Sequence, residues 1–211
     1  VDGSGAKEYF DEASSYRFAT LDLAASDKKT ADFTVLMVFD VSASEPRKLF
    51  VRAIERERIT TENHEAMVID WYKKWNLQAL HIEKMTFGTN LLGRLIGQPG
   101  MVVTALKADT NKIIRAMPVQ YEIRNGMVLF PREADWLRTF EAELTKFPNS
   151  THDDMVDTLG YGVQVFKSLP SWIQKRVEPA TPDEQVWEHM RQLGAKNKQK
   201  RGRTYPGLGK W

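Results

Sequence analysis

Three aspartates stand close together late in the chain, in the segment "NSTHDDMVDTLGYG" at positions 149–162. Asp153, Asp154 and Asp157 fall at the start of a predicted helix, whose period puts Asp153 and Asp157 on one face and Asp154 about 100° from Asp153. The positive end of a helix favours negative charge, but one capping aspartate satisfies that need. Carboxylates of like charge repel one another and resist burial unless a cation offsets them. The cluster therefore predicts a cation site.

Two further carboxylates lie inside apolar runs that have the composition of strands. Asp22 stands in "FATLDLAA" and Glu83 stands in "ALHIEKM". A strand interior disfavours aspartate, and a buried ionised carboxylate is costly unless it is compensated. Either residue alone could be a structural group held in a salt bridge. Together with the aspartates at the helix start, they indicate one shared acidic site.

The chemistry of such a site is that of hard divalent cations. Mg²⁺ and Mn²⁺ prefer carboxylate and water oxygens, and phosphate chemistry usually recruits them. Two such ions about 3.5–4 Å apart can activate a water and stabilise a leaving 3′-oxygen in one in-line displacement. The sequence therefore predicts a two-ion site in which the aspartates of the helix start form one wall.

Several other chemistries are excluded by composition and spacing. The chain has no cysteine, which excludes disulfides, thiolate zinc sites and cysteine nucleophiles. The segment "GTNLLGRL" at 88–95 has the glycine spacing of a phosphate-binding loop, but Arg94 and Leu95 stand where Lys and Ser or Thr are required. No apolar run approaches the roughly 20 residues of a membrane-spanning helix, so no membrane partner is expected.

The elements that position these residues follow from hydrophobic periodicity. Strands are predicted over 17–25, 33–43, 48–59, 77–85, 100–108 and 127–131. Helices are predicted over 60–76, 89–97, 109–126, 133–147 and 151–169. The first three strands follow one another through short connections, which indicates an antiparallel meander. The whole order predicts an α/β fold with a mixed sheet and helices packed on it.

Capping residues and a proline refine the ends of the later helices. We expect Asp109 to cap the helix over 109–126 and Pro118 to disturb it. We expect Ser150 or Thr151 to cap the last helix, so that Asp153 and Asp154 would both lie in its first turn.

Charge divides the chain into a slightly acidic body and a basic end. From Lys167 onward there are ten Lys and Arg against four Asp and Glu, a net charge of +6, whereas the whole chain has +2. Residues 1–16 have the composition of a linker, 17–166 form the predicted domain, and 167–211 form a basic, partly disordered tail. Such a tail suits nucleic acid or an acidic partner, although a solvated end explains it as well.

Four blocks of the sequence resemble, in order, the nuclease domain of the tailed-bacteriophage terminase large subunit. The most specific block is "ELTKFPNSTHDDMVD", which contains an E-L-x-x-F-P lead-in and an H-D-D-x-V-D helix start. A second is "KIIRAMPVQYEIRNGMVLFP", with a K-x-x-R-A pattern before a G-x-V-x-x-P turn. The other two surround Asp22 and Glu83, and the likeness covers about residues 17–166. The three strands with Asp22 on the first, the acidic fourth strand and the acidic late helix resemble the ribonuclease H-like arrangement.

This resemblance implies an endonuclease that cuts concatemeric viral DNA during genome packaging with two Mg²⁺ or Mn²⁺ ions. It implies that Asp22, Glu83, Asp153 and Asp154 are the catalytic metal ligands. Whether Asp153, Asp154 or both bind metal stays open.

The resemblance also implies partners and a location. Lys112 and Arg115 match basic positions near the site and would bind the phosphates of double-stranded DNA. An ATPase domain would precede this part in the same polypeptide, and the portal and the small terminase subunit would be protein partners. The work would take place in the host cell cytoplasm during viral assembly.

Two alternatives remain open at this point. A Holliday-junction resolvase or an integrase-like enzyme on the same fold would use the same acidic site, although the "ELTKFP…HDDMVD" block argues against it. A non-catalytic DNA-binding or portal-docking module would have no use for carboxylates at all three places.

Overall fold

The computed structural model describes residues 14–24, 33–43, 45–84, 86–107, 111–150 and 152–170 of the 211. The strands in these ranges are β1 (Tyr16–Asp22), β2 (Thr34–Val41), β3 (Leu49–Glu57), β4 (Ala79–Glu83), β5 (Val103–Leu106) and β6 (Val128–Leu129). The helices are α1 (His64–Lys74), α2 (Thr86–Leu95), α3 (Lys112–Arg124), α4 (Leu137–Lys146) and α5 (Asp154–Ser168). Every strand and helix expected from the sequence is present, with ends that differ by a few residues.

The six strands form one mixed sheet in the order β5-β4-β1-β2-β3-β6. β1, β2 and β3 are the predicted antiparallel meander. β4 pairs parallel with β1, β5 parallel with β4, and β6 parallel with β3. The ends of β1, β3 and β4 and the start of β2 therefore meet at one edge of the sheet.

Helices cover both faces of this sheet because its central strands are apolar on both sides. On one face α3, α4 and α5 join the core cluster that contains Phe18 and Phe39. On the other face α1 and α2 pack on the cluster that contains Leu21 and Leu36. None of the described helices is long and apolar enough to cross a membrane.

Helix α5 lies unusually close to the sheet, and a glycine permits this approach. A Cβ atom on Gly162 would stand 2.1 Å from Cζ of Phe39 on β2, far inside van der Waals contact. The Thr20 hydroxyl on β1 donates a hydrogen bond of 2.9 Å to the Thr158 carbonyl of α5. These contacts hold α5 against β1 and β2.

The predicted caps of two helices are wrong. Asn111, not Asp109, caps α3, and its side chain accepts a hydrogen bond of 3.0 Å from the Ile113 amide. α3 contains Pro118, as its predicted range implies, and the disturbance expected at this residue stays a prediction. α5 begins only at Asp154, and its N-cap residue is Asp153 instead of the predicted Ser150 or Thr151, the latter of which lies outside the described residues.

The end of α5 also bears on the predicted domain boundary. The helix runs to Ser168, two residues beyond the predicted boundary at 166. The remainder of the predicted tail, residues 171–211, and most of the predicted linker at 1–16 lie outside the described residues.

A buried ion pair closes the other end of β1. Arg17 on β1 stands directly opposite Asp40 on β2. Its Nε and Nη2 atoms donate hydrogen bonds of 2.7 and 3.1 Å to the two oxygens of the Asp40 carboxylate. Ser15 donates a third at 3.2 Å, and Asp40 is fully buried. A bidentate pair of this kind satisfies both charges within the fold.

Candidate metal centre

The sheet places two of the predicted ligands side by side. Asp22 is the last residue of β1 and Glu83 is the last residue of β4. The strands are parallel neighbours, with Leu21 paired to Ile82 just before them. Because parallel strands end at the same edge of a sheet, the two carboxyl groups come together there, and burial and Glu83 both raise the pKa of Asp22.

The environment of Asp22 is acidic. Burial and the neighbouring Glu83 raise the pKa of Asp22 well above its usual range, and Asp154 and Asp157 raise it further. Carboxylates from β1, β4 and α5 are thus close enough to influence one another. Asp157, one of the three aspartates of the predicted cation cluster but not among the ligands implied by the resemblance, also belongs here.

Glu83 and Asp157 are held by a chain of contacts that crosses from α5 to α3. The Tyr161 hydroxyl donates a hydrogen bond of 2.6 Å to Oε1 of Glu83. The Arg115 guanidinium stacks on the Tyr161 ring, 4.4 Å from its centroid, and donates a hydrogen bond of 2.9 Å to Asp157. Gly160 leaves room for this arginine, because a Cβ there would stand 3.0 Å from Cγ of Arg115.

The side chains of Asp153 and Asp154 have different partners. It forms an ion pair with Lys112, whose pKa is raised by the hydrogen bond from its ammonium to this carboxylate. The Lys112 side chain is 45% exposed, whereas that of Arg115 is 10% exposed. Lys112 therefore lies at the solvent-facing rim of the site, and Arg115 lies within its support.

Asp154 is buried, and its surroundings fix it from the sheet side. Its Oδ2 accepts a hydrogen bond of 3.4 Å from the Phe33 amide, just before β2. Nδ1 of His152 lies 4.0 Å from the same oxygen. Asp154 is the member of the Asp153–Asp154 pair that contributes to the electrostatics around Asp22.

The start of α5 is capped from outside the helix by Glu143 on α4. Its Oε1 accepts hydrogen bonds of 2.7 and 3.1 Å from the amides of Met155 and Val156. Burial raises the pKa of Glu143 to about 7, although these two hydrogen bonds lower it. This carboxylate takes the place of the expected serine or threonine cap and holds the first turn of α5 in position.

Sequence reasoning missed the roles of Glu143, Asp157 and Tyr161. Glu143 is the first residue of the E-L-x-x-F-P block, but the block gives no hint that its carboxylate caps the next helix. Asp157 and Tyr161 are four residues apart, so they share a face of α5, and that spacing was the available signal. The partners Glu83 and Arg115 are distant in sequence, which hides the network from local patterns.

The donor set fits a hard divalent cation. The carboxylates of Glu83, Asp154 and Asp157 lie near that of Asp22 at one edge of the sheet, and burial and all three of them raise its pKa. Among the described residues, no group of three or more such side chains stands ready-formed to hold a metal ion. The carboxylates supply the oxygen ligands that such ions prefer.

The fold and the acidic edge define a class, the ribonuclease H-like proteins, in which a meander of three strands continues into parallel strands. Residues 19–165 match the family described as the terminase RNaseH-like domain. The chain belongs to this family. A comparison with curated proteins gives no match.

Solved structures with the same fold include nuclease domains of large terminases. The nuclease of thermophilic phage G20c with bound magnesium is 16% identical over 74% of this chain and 83% of that chain, with a TM-score of 0.56. The nuclease domain of Thermus phage P74-26 is 15% identical over 69% and 77%, with a TM-score of 0.52. The human cytomegalovirus terminase nuclease domain, soaked with Mn, is 12% identical over 78% and 88%, with a TM-score of 0.51. These likenesses show a terminase nuclease fold.

Proposed function

We propose that this domain is a divalent-metal-dependent endodeoxyribonuclease, the nuclease part of a bacteriophage terminase large subunit. One observation carries the proposal: Asp22, Glu83 and Asp154 converge from β1, β4 and α5 at one edge of the sheet. The domain belongs to a terminase family, and structures of similar fold are named with magnesium, zinc or Mn.

Asp22, Glu83 and Asp154 would hold two Mg²⁺ or Mn²⁺ ions, with Asp153 as the further candidate ligand. Bound ions of this kind supply an activated water and stabilise the leaving 3′-oxygen of a phosphodiester. The protein's own contribution is to hold the carboxylates in place. Tyr161 orients Glu83, Glu143 fixes the helix start that carries Asp154, and Arg115 holds Asp157 against Tyr161.

DNA binding is proposed for two basic side chains of α3, Lys112 at the rim and Arg115 beneath it. Lys112 is exposed and forms an ion pair with Asp153. A phosphate could replace the Asp153 carboxylate as its partner, or both anions could bind the same ammonium. Arg115 lies about one turn further along α3 and is largely buried against Asp157 and Tyr161. We propose that its positive charge attracts the same phosphates. Contacts of this type hold the DNA backbone without reading its sequence.

The biological setting follows from the family. We propose that the domain cuts concatemeric viral DNA at genome packaging in the host cell cytoplasm. An ATPase domain of the same polypeptide, the portal and the small terminase subunit are the proposed protein partners.

A plasmid-cleavage assay tests the enzymatic proposal. The full chain is incubated with supercoiled plasmid, linear duplex and a four-way junction, each with Mn²⁺, with Mg²⁺ and with EDTA. We expect metal-dependent nicking and linearisation, and a loss of more than about a hundredfold in Asp22→Asn, since even residues behind metal ligands contribute 10–100-fold. Asp70→Asn, an exposed aspartate on α1, is the matched control and should cleave like wild type.

Three outcomes would contradict the proposal in different ways. Cleavage that persists in EDTA, or in the Asp22→Asn variant, would refute the proposed metal site. A strong preference for the four-way junction would favour a resolvase. Tight DNA binding with no cleavage under any condition would favour a non-catalytic module.

A further inference from the structure

An aromatic ring beside the carboxylate cluster carries two arginines. Phe33 immediately precedes β2. On the neighbouring strand β3, Arg56 is the last residue but one, and Arg58 directly follows the strand. The carbon atoms at the centres of the two guanidinium groups lie 3.6 and 3.8 Å from the Phe33 ring centroid. We infer that Phe33 and Arg58 form a binding ledge for a phosphate of the DNA backbone, in addition to Lys112. This inference rests on the proposed nuclease function.

The two arginines differ in their exposure and in their position relative to β3. Arg56 is part of the protein's internal network, since its Nη2 lies 3.9 Å from Oε2 of the buried Glu143 and its side chain is only 20% exposed. Arg58 lies beyond the last residue of β3 and is exposed. Arg56 therefore serves to support the ring, and Arg58 is the group that presents its charge to solvent.

Stacking on the ring suits Arg58 to an anion in two ways. A guanidinium held against an aromatic face has already given up much of its rotamer freedom, so less is lost when it binds. Its planar fork remains able to donate two hydrogen bonds to phosphate oxygens. Two positive groups on a single ring also repel each other, and an added phosphate offsets that repulsion.

The ledge is physically continuous with the carboxylate cluster. The Phe33 amide donates to Oδ2 of Asp154, and the Phe33 ring meets the His152 ring edge-on, with 5.3 Å between their centroids. β3 is separated from β1 by β2 alone, which puts the end of β3 about 10 Å from the end of β1. A phosphate on Arg58 would thus belong to the same stretch of DNA as the phosphodiester at Asp22. The chemistry selects a sugar-phosphate backbone and not a base sequence.

Binding measured in EDTA tests the ledge separately from cleavage. The full chain is titrated with a fluorescent blunt duplex at several salt concentrations, as wild type and as Arg58→Ala, Arg58→Lys and Phe33→Leu. Arg52→Ala is the control, because Arg52 is an exposed arginine of the same strand about 20 Å from Arg58. Wild-type plasmid cleavage with Mn²⁺ is measured in parallel.

We expect Arg58→Ala to raise the Kd about tenfold and to flatten the log–log salt dependence by about one unit, as the loss of one phosphate contact does. Arg58→Lys should keep the slope but recover only part of the affinity, because it keeps the charge and loses the planar fork. Phe33→Leu should weaken binding several-fold with the slope retained. Arg52→Ala should bind like wild type.

The ledge is refuted if Arg58→Ala has the same Kd and salt slope as Arg52→Ala while wild type cleaves DNA. An Arg58 effect in EDTA together with a wild type that cleaves nothing would support the ledge and refute the nuclease proposal. Equal losses in Arg58→Lys and Arg58→Ala, with both slopes unchanged, would also overturn the ledge.

Discussion

The carboxylates at the two ends of β1 have opposite electrostatic surroundings. At its start, Arg17 stands across from Asp40 and binds both carboxylate oxygens, so a fully buried charge is satisfied by its own fold. At its end, Asp22 stands beside Glu83 and is surrounded by further acids from α5. At the start of β1 the aspartate is paired with an arginine, whereas at its end the aspartate is surrounded by other carboxylates.

This contrast separates a structural carboxylate from a functional one by its partners, not by its burial. A lone buried ion pair is explained once both charges are satisfied. The cluster at Asp22 has supports of a different kind, since Tyr161, Arg115 and Glu143 hold its members in place without neutralising Asp22 itself. Such an arrangement is what a site for an added cation requires.

The largest difference should appear in stability without metal. Asp40→Asn leaves the Arg17 charge buried without its counter-charge and should lower the free energy of unfolding by about 3–5 kcal/mol. Asp22→Asn removes one of several like charges and should leave it unchanged or raise it. Urea denaturation in EDTA measures both. A loss of several kcal/mol in Asp22→Asn would make Asp22 a structural group like Asp40 and break the comparison.

Added Mn²⁺ should act on one end of β1 only. Metal that binds the folded state alone stabilises it by about 2.7 kcal/mol at a hundredfold excess over the dissociation constant. We expect Asp154→Asn to lose most of this gain, because Asp154 raises the pKa of Asp22 and therefore lies near it. Asp153→Asn should lose less, because Asp153 is not among the groups that raise this pKa. Melting temperatures with and without Mn²⁺ report it, with Asp70→Asn as the control. Equal gains in Asp154→Asn and wild type would exclude Asp154 as a ligand.

Glu143 connects the fold to the acidic end. Glu143→Ala leaves the amides of Met155 and Val156 without their acceptor and should destabilise the protein by about 1–3 kcal/mol. Glu143→Gln keeps an acceptor oxygen and should recover part of that loss. The readout is urea denaturation combined with the Mn²⁺-induced shift in melting temperature. If Glu143→Ala and Glu143→Gln were equally destabilised, the capping role would be wrong.

The smallest effect is expected at the exposed rim. The Lys112 side chain is 45% exposed, so its ion pair with Asp153 is screened by solvent and Lys112→Ala should change stability by no more than about 1 kcal/mol. If Lys112 binds a phosphate, the same change should weaken binding to all DNA sequences alike and flatten the salt dependence by about one log–log unit. An unaltered slope would leave Lys112 as a partner of Asp153 only.

The strands and helices could be predicted because their apolar residues follow the periods of strand and helix. Asp22 and Glu83 could be singled out as carboxylates in apolar strands, but the same criterion applies to Asp40 in "MVFDVSA". Only the register of β1 on β2, which brings Arg17 to Asp40, tells the two aspartates apart. The roles of Glu143 and of the Phe33 ledge depend on contacts between distant segments, which local patterns do not encode.

The most direct test of the acidic end is a crystal soaked with saturating Mn²⁺ and measured for anomalous scattering. The account predicts two peaks about 3.5–4 Å apart, bounded by the carboxylates of Asp22, Glu83 and Asp154. No Mn²⁺ should bind at Asp40, where Arg17 already supplies the charge. Diffraction that shows no Mn²⁺ between Asp22 and Glu83 would contradict the metal centre.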